Sequence, residues 1–210
     1  AQTRHEKLPH LNVITRLERA DHLWLDPFTI RNLELVESLQ GNGVSLFDVL
    51  NETQTPMGAR KLRHWLLMPL RSPEAIEERL NRVQWLVKQP EKIEAWKSRL
   101  SLCGDVERLT GRLATGRLSP RELPRLAAAI REAQALGQEM AAEGGKDWET
   151  FAQAFPNLEH LAERIEQSMV EEPPAQPGKG PVFAEGFDPE LDEYRKLAYS
   201  GKDVLLKLQE

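Results

Sequence analysis

The stretch Gly111-Arg-Leu-Ala-Thr-Gly116-Arg117-Leu118 carries two glycines at the spacing of a phosphate-binding loop, G-x-x-x-x-G-K-[ST]. In that loop backbone N–H groups cradle phosphates, a lysine reaches the terminal ones and a hydroxyl holds Mg²⁺. Arg117 stands where the lysine belongs, Leu118 offers no hydroxyl, and Gly104 to Thr110 do not read as a buried parallel strand. Glycines at turns or helix ends explain the spacing better. Gly41-Asn-Gly43 begins a dinucleotide fingerprint, but Leu46 replaces its third glycine and no strand precedes it, so it reads as a loop. The histidines His5, His10, His22, His64 and His160 form no H-E-x-x-H pattern; His160 and Glu163 are only an i,i+3 pair. Glu190, Asp192 and Glu193 lack the alternating ligands of a calcium loop and suit the positive end of a helix. No serine, nor the single cysteine Cys103, sits in a glycine elbow. The sequence therefore nominates no catalytic, nucleotide-binding or metal-binding residue.

Arg108, Arg112, Arg117, Arg121 and Arg125 recur at intervals of 4, 5, 4 and 4 and would line one face of a continuous helix. Such a face contacts phosphates or pairs with local acids, and solvated or ion-paired arginines are the commoner case. The wider charge pattern poses the same alternative. Residues 1–59 carry a net −3, residues 60–131 a net +8 and residues 132–210 a net −10, within a total of −5. Either the basic middle is a nucleic-acid footprint, or it attracts the acidic end of the same molecule; the absence of interleaved aromatics favours the second.

The elements that would position these residues are helices. Only 6% of the 210 residues are aromatic and 40% are apolar, with Leu, Glu, Arg and Ala abundant. A cap residue followed by proline recurs at Asp26-Pro27, Thr55-Pro56, Ser72-Pro73, Ser119-Pro120 and Asp188-Pro189. These predict helices from Pro27 to about Gln40, from Pro56 to before Pro69, and from Pro73 to about Gln89, the last with an apolar stripe of Ile76, Leu80, Val83 and Val87. Ser45 caps a short helix, and Ile93, Trp96 and Leu100 mark another. Gly104, Gly111 and Gly116 predict only short helical turns. A long helix follows to about Ala142, with Pro124 inside its pattern making the first turn either a separate piece or a kink, and Gly144-Gly145 ends it. Shorter helices are expected from Asp147 to Phe155 and from Pro156 to about Met169. Four prolines between Glu171 and Pro181 predict an irregular surface connection, and Asp188-Pro189 opens a last helix.

No apolar run approaches the roughly 18 residues that cross a bilayer, and one cysteine permits no intrachain disulfide. The first residue is not methionine and the last helix reaches Glu210 without a capping glycine, which suggests an excised piece of a longer protein.

Four blocks occur in a familiar order: Leu25-Asp-Pro-Phe-Thr-Ile-Arg-Asn-Leu-Glu-Leu35, Thr55-Pro-Met-Gly-Ala-Arg-Lys-Leu-Arg-His-Trp-Leu66 leading into Met68-Pro-Leu-Arg71, Gly104-Asp-Val-Glu-Arg-Leu-Thr-Gly-Arg-Leu113, and Gly186-Phe-Asp-Pro-Glu-Leu-Asp-Glu-Tyr194. Together they resemble the core domain of the MutS family of DNA mismatch-recognition proteins. The resemblance implies an all-α, irregular multi-helix core with a long lever-type helix at its C-terminal end. Residues 1–21 would be the end of a connector segment, 22–187 the helical core and 188–210 the start of an outgoing lever. The mismatch-reading Phe-x-Glu motif, the DNA clamp, the returning lever and the nucleotide site of such proteins fall outside these residues.

By the same resemblance the chain is no enzyme itself and needs no cofactor. The longer protein, a dimeric cytoplasmic bacterial ATPase using ATP and Mg, would act on mismatched DNA. The implied role is structural: passing conformational change between the ATPase and clamp domains, with Gly104, Gly111 and Gly116 as hinge positions. Leu191, Tyr194, Leu205 and Leu208 of the last helix are expected to present an exposed interface to missing domains or to another copy. The rival class is a nucleic-acid-binding helical module using the basic 60–131 block; a small hydrolase is a third.

Overall fold

The computed structural model describes residues 21–207, apart from the side chains of residues 146–147 and 199–207. The expected connector segment thus lies outside the described residues except for Asp21. Helices α1 (Pro27–Asn32), α2 (Leu46–Leu50), α3 (Pro56–Leu67), α4 (Pro73–Val87), α5 (Pro90–Cys103), α6 (Val106–Ala114), α7 (Leu123–Glu143), α8 (Gly145–Ala152), α9 (Glu159–Ser168) and α10 (Pro189–Lys207) follow in order, with a 3₁₀ turn at Pro120–Glu122 before α7. The fold is all-α: among the described residues there is no sheet, only isolated antiparallel bridges joining His22 to Leu70 and Met169 to Phe183.

The cap-and-proline pairs start helices as their chemistry requires. The Asp26 carboxylate accepts from the amides of Phe28 and Thr29, Thr55 Oγ1 from Gly58, Ser72 Oγ from Ala75, and Asp188 from Glu190 and Leu191. Pro124 falls at the start of α7 and not within it, so the preceding turn is a separate 3₁₀ piece.

The core forms around α7, which packs on α5, α8 and α9. Toward its C-terminal end, Leu136 and Met140 meet Trp96 and Trp148, with Trp85 and Leu86 of α4 against them. The three indole rings lie 5.1–5.7 Å apart. Toward its N-terminal end, Leu126, Ala127 and Ile130 meet Ala162, with Val106 and Leu109 of α6 and Ile165 of α9 alongside. Each large side chain so covered contributes about 2–3 kcal/mol. Small residues on α7 allow the close approach: Ala127 is fully buried, and Phe155 lies 3.4 Å from where a Cβ on Gly137 would stand.

Two local expectations, on the first helix and on the Gly104 to Gly116 stretch, need correction, and the structure adds which way the α4 stripe faces. The first helix stops at Asn32, well short of Gln40. Glu34 takes a left-handed φ of 48°, and its carboxylate accepts from Leu39 N and Ser38 Oγ. The chain then runs back along α2, where Leu46 N and Phe47 N donate to the carbonyls of Glu34 and Leu35. The stripe of α4 faces outward, with Ile76, Leu80, Val83 and Val87 38–69% exposed, because Trp85 and Leu86 occupy the core side. The Gly104 to Gly116 stretch contains a regular nine-residue helix, α6, with Gly111 inside it.

The charge asymmetry resolves into pairs between the basic middle and the acidic end. Arg131 reaches Glu166 at 2.9 Å and Glu159 at 3.4 Å; Arg99 reaches Glu139 at 2.7 Å and Glu132 at 3.2 Å; Lys92 meets Glu143. These bonds tie α5 to α7 and α7 to α9.

Candidate functional site

Two junctions between rigid pieces stand out. The first is α6, which bridges α3 and the α7 core. Asp105 caps α6 by accepting from Arg108 N, and the same carboxylate takes a bidentate pair from Arg60 of α3 at 2.7 and 3.0 Å. Arg60 also reaches Glu107 through Nε at 3.0 Å and Nη2 at 2.6 Å. Those bonds hold the Asp105 carboxyl below the usual carboxylate range and keep the Arg60 guanidinium charged. At the other end of α6, Arg112 pairs with Glu122, whose carboxylate also caps Ser119.

The predicted hinge glycines lie along this piece. Gly104, at φ 61° and ψ −142°, ends α5 in a conformation nearly closed to other residues. Gly116, at φ 66°, follows α6, and its amide donates to Leu113 O while Arg117 N donates to Arg112 O. The two amides that a phosphate loop would turn toward its ligand are therefore committed to the end of a helix. Gly111 sits in the helix interior with open space beside it. Gly104 and Gly116 thus bracket α6, and Gly111 lies within it.

The second junction is the root of α10. Met169 and Phe183 pair across the proline-rich loop, with Val170 N donating to Val182 O and Ala184 N to Ser168 O. Gly186, at φ 82°, then turns the chain, and its amide donates to Asp192 Oδ2 at 2.7 Å. Arg195 donates to Asp192 Oδ1 at 3.0 Å and to the Phe183 carbonyl at 2.9 Å, while the Phe183 and Phe187 rings stack at 5.8 Å. Asp192 and Arg195 are about four-fifths covered, and the network ties the first turns of α10 to the Phe183–Gly186 segment that precedes it. Sequence reasoning assigned Asp192 to the helix dipole and passed over Arg195; the available signal was a glycine followed six residues later by an acid, with an arginine one turn beyond.

Of the predicted lever surface, Leu191 is half-buried and Tyr194 is 60% exposed, its hydroxyl donating to Glu190 Oε1 at 3.1 Å. The Leu205 side chain and Leu208 lie outside the described residues. Of the five spaced arginines, Arg112 is ion-paired and Arg121 donates to the Pro173 carbonyl at 3.5 Å, whereas Arg108 and Arg125 flank an open groove between α6 and α7. Cys103 is buried, and its burial, with the Glu132 charge nearby, pushes the thiol up. No group of three His, Cys, Asp or Glu side chains among the described residues converges to hold a metal. No helix among them is long and apolar enough to cross a membrane.

A family model described as MutS domain III matches residues 28–209. The chain belongs to the MutS domain III family. This MutS domain III is 37% identical over 209 residues to the DNA mismatch repair protein MutS of Parabacteroides distasonis, covering all of the chain and 24% of that protein. Identity to the DNA mismatch repair protein MutS of Christiangramia forsetii is 38% over 208 residues, 99% of the chain and 24% of the relative. For that of Salinibacter ruber it is 35% over 210 residues, 99% and 23%. The domain spans about a quarter of the length of these curated relatives.

Proposed function

We propose that this MutS domain III is a mechanical coupling piece in a DNA mismatch repair protein, carrying conformational change between an ATPase domain and a DNA clamp. In this reading residues 22–187 are the core and α10 is the start of the outgoing lever. ATP and Mg²⁺ act elsewhere in a full-length, dimeric MutS protein, and the domain itself performs no chemistry. The single observation that carries the reading is the root of α10: a 19-residue helix departs through a joint in which Asp192 accepts from Gly186 N and Arg195 donates to the Phe183 carbonyl. A rod held so closely at its base passes a small rotation of the body to its far end. Coupling also needs two arrangements whose relative stability nucleotide can bias. The α6 piece, flanked by Gly104 and Gly116, offers a place for that rearrangement.

The test uses a full-length MutS protein carrying these residues. Arg195→Ala should leave ATP binding intact while weakening nucleotide-triggered release of mismatched DNA, and Gly111→Ala or Gly116→Ala should alter the same coupling. Unchanged coupling in all three variants would count against the reading. The 210-residue chain alone is expected to bind little mismatched DNA and little ATP. Salt-sensitive DNA binding that falls on neutralising Arg117, Arg121 and Arg125 would favour a nucleic-acid-binding module instead.

A further inference from the structure

Neither of the two apolar clusters among the described residues takes a residue from α1, α2 or α3. Residues 26–67 have an order of their own: Leu35, Ser45 and Thr55 are buried, Leu46 N and Phe47 N donate to the Glu34 and Leu35 carbonyls, and Arg63 reaches Glu37 at 3.7 Å. The chain enters and leaves this lobe through a narrow neck. There Leu23 N donates to Pro69 O at 2.8 Å and Arg71 N to Asp21 O at 3.1 Å, so that residues 21–23 and 69–71 run side by side.

Two side-chain contacts carry α3 onto later helices. Arg79 of α4 lies over the Trp65 ring at 4.0 Å, only about 5 Å along the helix axis from Met68, where α3 ends at the neck. Arg60 stands about 12 Å from the same point, and it makes the stronger set of bonds: both Asp105 oxygens at 2.7 and 3.0 Å, and Glu107 at 2.6 Å. A contact farther from the pivot resists rotation of the lobe through a longer arm. It is also one that water and salt can replace, because the Arg60 side chain is 48% exposed and parting the pairs uncovers neither apolar cluster.

We infer that residues 26–67 form a hinged lobe that swings about the neck, and that Arg60 is the strap that closes it on α6. The strap ends on Asp105, beside Gly104, so its release frees the lobe and takes a cation from the α6 cap in one event. The inference stands on contacts inside this chain, and it holds or fails independently of any coupling between an ATPase domain and a clamp.

Double electron–electron resonance on the 210-residue chain tests this without nucleotide or DNA. Spin labels go on Glu52→Cys in the lobe and Gln167→Cys on α9, both exposed positions, with Cys103→Ala throughout. The chain with Arg60 intact should give one narrow distance distribution at low salt that broadens at about 0.5 M NaCl. Arg60→Gln should raise the population outside the main peak about three- to tenfold. So should Asp105→Asn/Glu107→Gln, which removes the strap's other end while asparagine keeps the α6 cap. Arg60→Lys, a point charge in place of a fork, should fall between, and Arg79→Gln, nearer the neck, should move the distribution less than Arg60→Gln. Amide exchange within α1–α3 should stay unchanged in each variant, since a strap is no part of the lobe's own fold. A distribution that either Arg60→Gln or the Asp105/Glu107 variant leaves unmoved overturns the proposal. Protection lost throughout α1–α3 with Arg60→Gln overturns it by making Arg60 part of the lobe's folding. A larger shift with Arg79→Gln overturns it in favour of the Trp65 contact.

Discussion

Around α7, Trp96, Leu136, Met140 and Trp148 are at most 7% exposed, while between residues 28 and 49 Phe28, Leu33, Leu39, Val44 and Val49 are each more than half exposed. The two regions hold their shape by different means. The α7 region is a packed core in which removal of apolar area from water supplies the stability. The region from α1 to α3 is organised by caps, the folded-back Glu34–Leu35 segment and the Arg60 pairs to α6, with Leu35, Ser45 and Thr55 as its buried points. A segment defined mainly by polar geometry keeps its form while leaving apolar side chains available to further contacts, which suits a piece that joins other domains.

The sharpest way to break this contrast is truncation on each side. Leu136→Ala should cost about 3–5 kcal/mol in chemical denaturation, whereas Phe28→Ala should stay within about 0.5 kcal/mol. Equal losses would show that the α1–α3 region carries a core of its own. At the joint between the two regions, Gly104→Ala forces a side chain into a backbone conformation nearly reserved for glycine and should cost about 1–3 kcal/mol. Thermal melting that does not move would mean the joint relaxes freely. Within the α1–α3 region, Ser45 is fully buried; its hydroxyl caps Asp48 N while donating to Asp48 Oδ2. Ser45→Ala should therefore cost about 1–2 kcal/mol, with raised amide exchange confined to α2 and its neighbours; global exchange would contradict the separation of the two regions.

The smallest effect expected is on pH. Arg60 lowers the folded pKa of Asp105 from an ordinary value of 3.8, so the pair's contribution is complete above that value and is lost as the pH falls through the folded pKa. The stability advantage of the wild type over Arg60→Gln should accordingly be constant near neutrality and shrink below about pH 4. An advantage that does not shrink at all on acidification below about pH 4 would mean that Arg60 acts through packing on α6 and not through its charge.

Much of the helical framework was legible because its signals are local. A side-chain oxygen at Asp26, Thr55, Ser72 or Asp188 reaches an amide two or three residues ahead, and a proline beside it has its φ already set. The irregular proline-rich stretch after Glu171 was readable for the same reason, whereas Pro124 left a separate turn and a kink both open until the structure showed the turn. Where α1 ends was not, because Glu34 departs from the helix to meet Ser38 and Leu39 while its carbonyl receives the amide of Leu46. Nor was the inward side of α4, since Trp85 and Leu86 lie outside the row that periodicity selects. The glycines at 104, 111 and 116 read as breaks, yet the Asp105 cap and the packing of Val106 and Leu109 on α7 support a helix between them.

By itself, then, the sequence determined the helical composition, most starting points, the absence of a complete phosphate loop and the family resemblance in four ordered blocks. These rest on neighbouring residues acting on one another, or on residue identity alone. Only the tertiary structure decided which apolar face turns inward and which arginines of the middle meet which acids of the end. Those outcomes depend on groups brought together from separate elements, where several apolar faces and charges compete for the same neighbours.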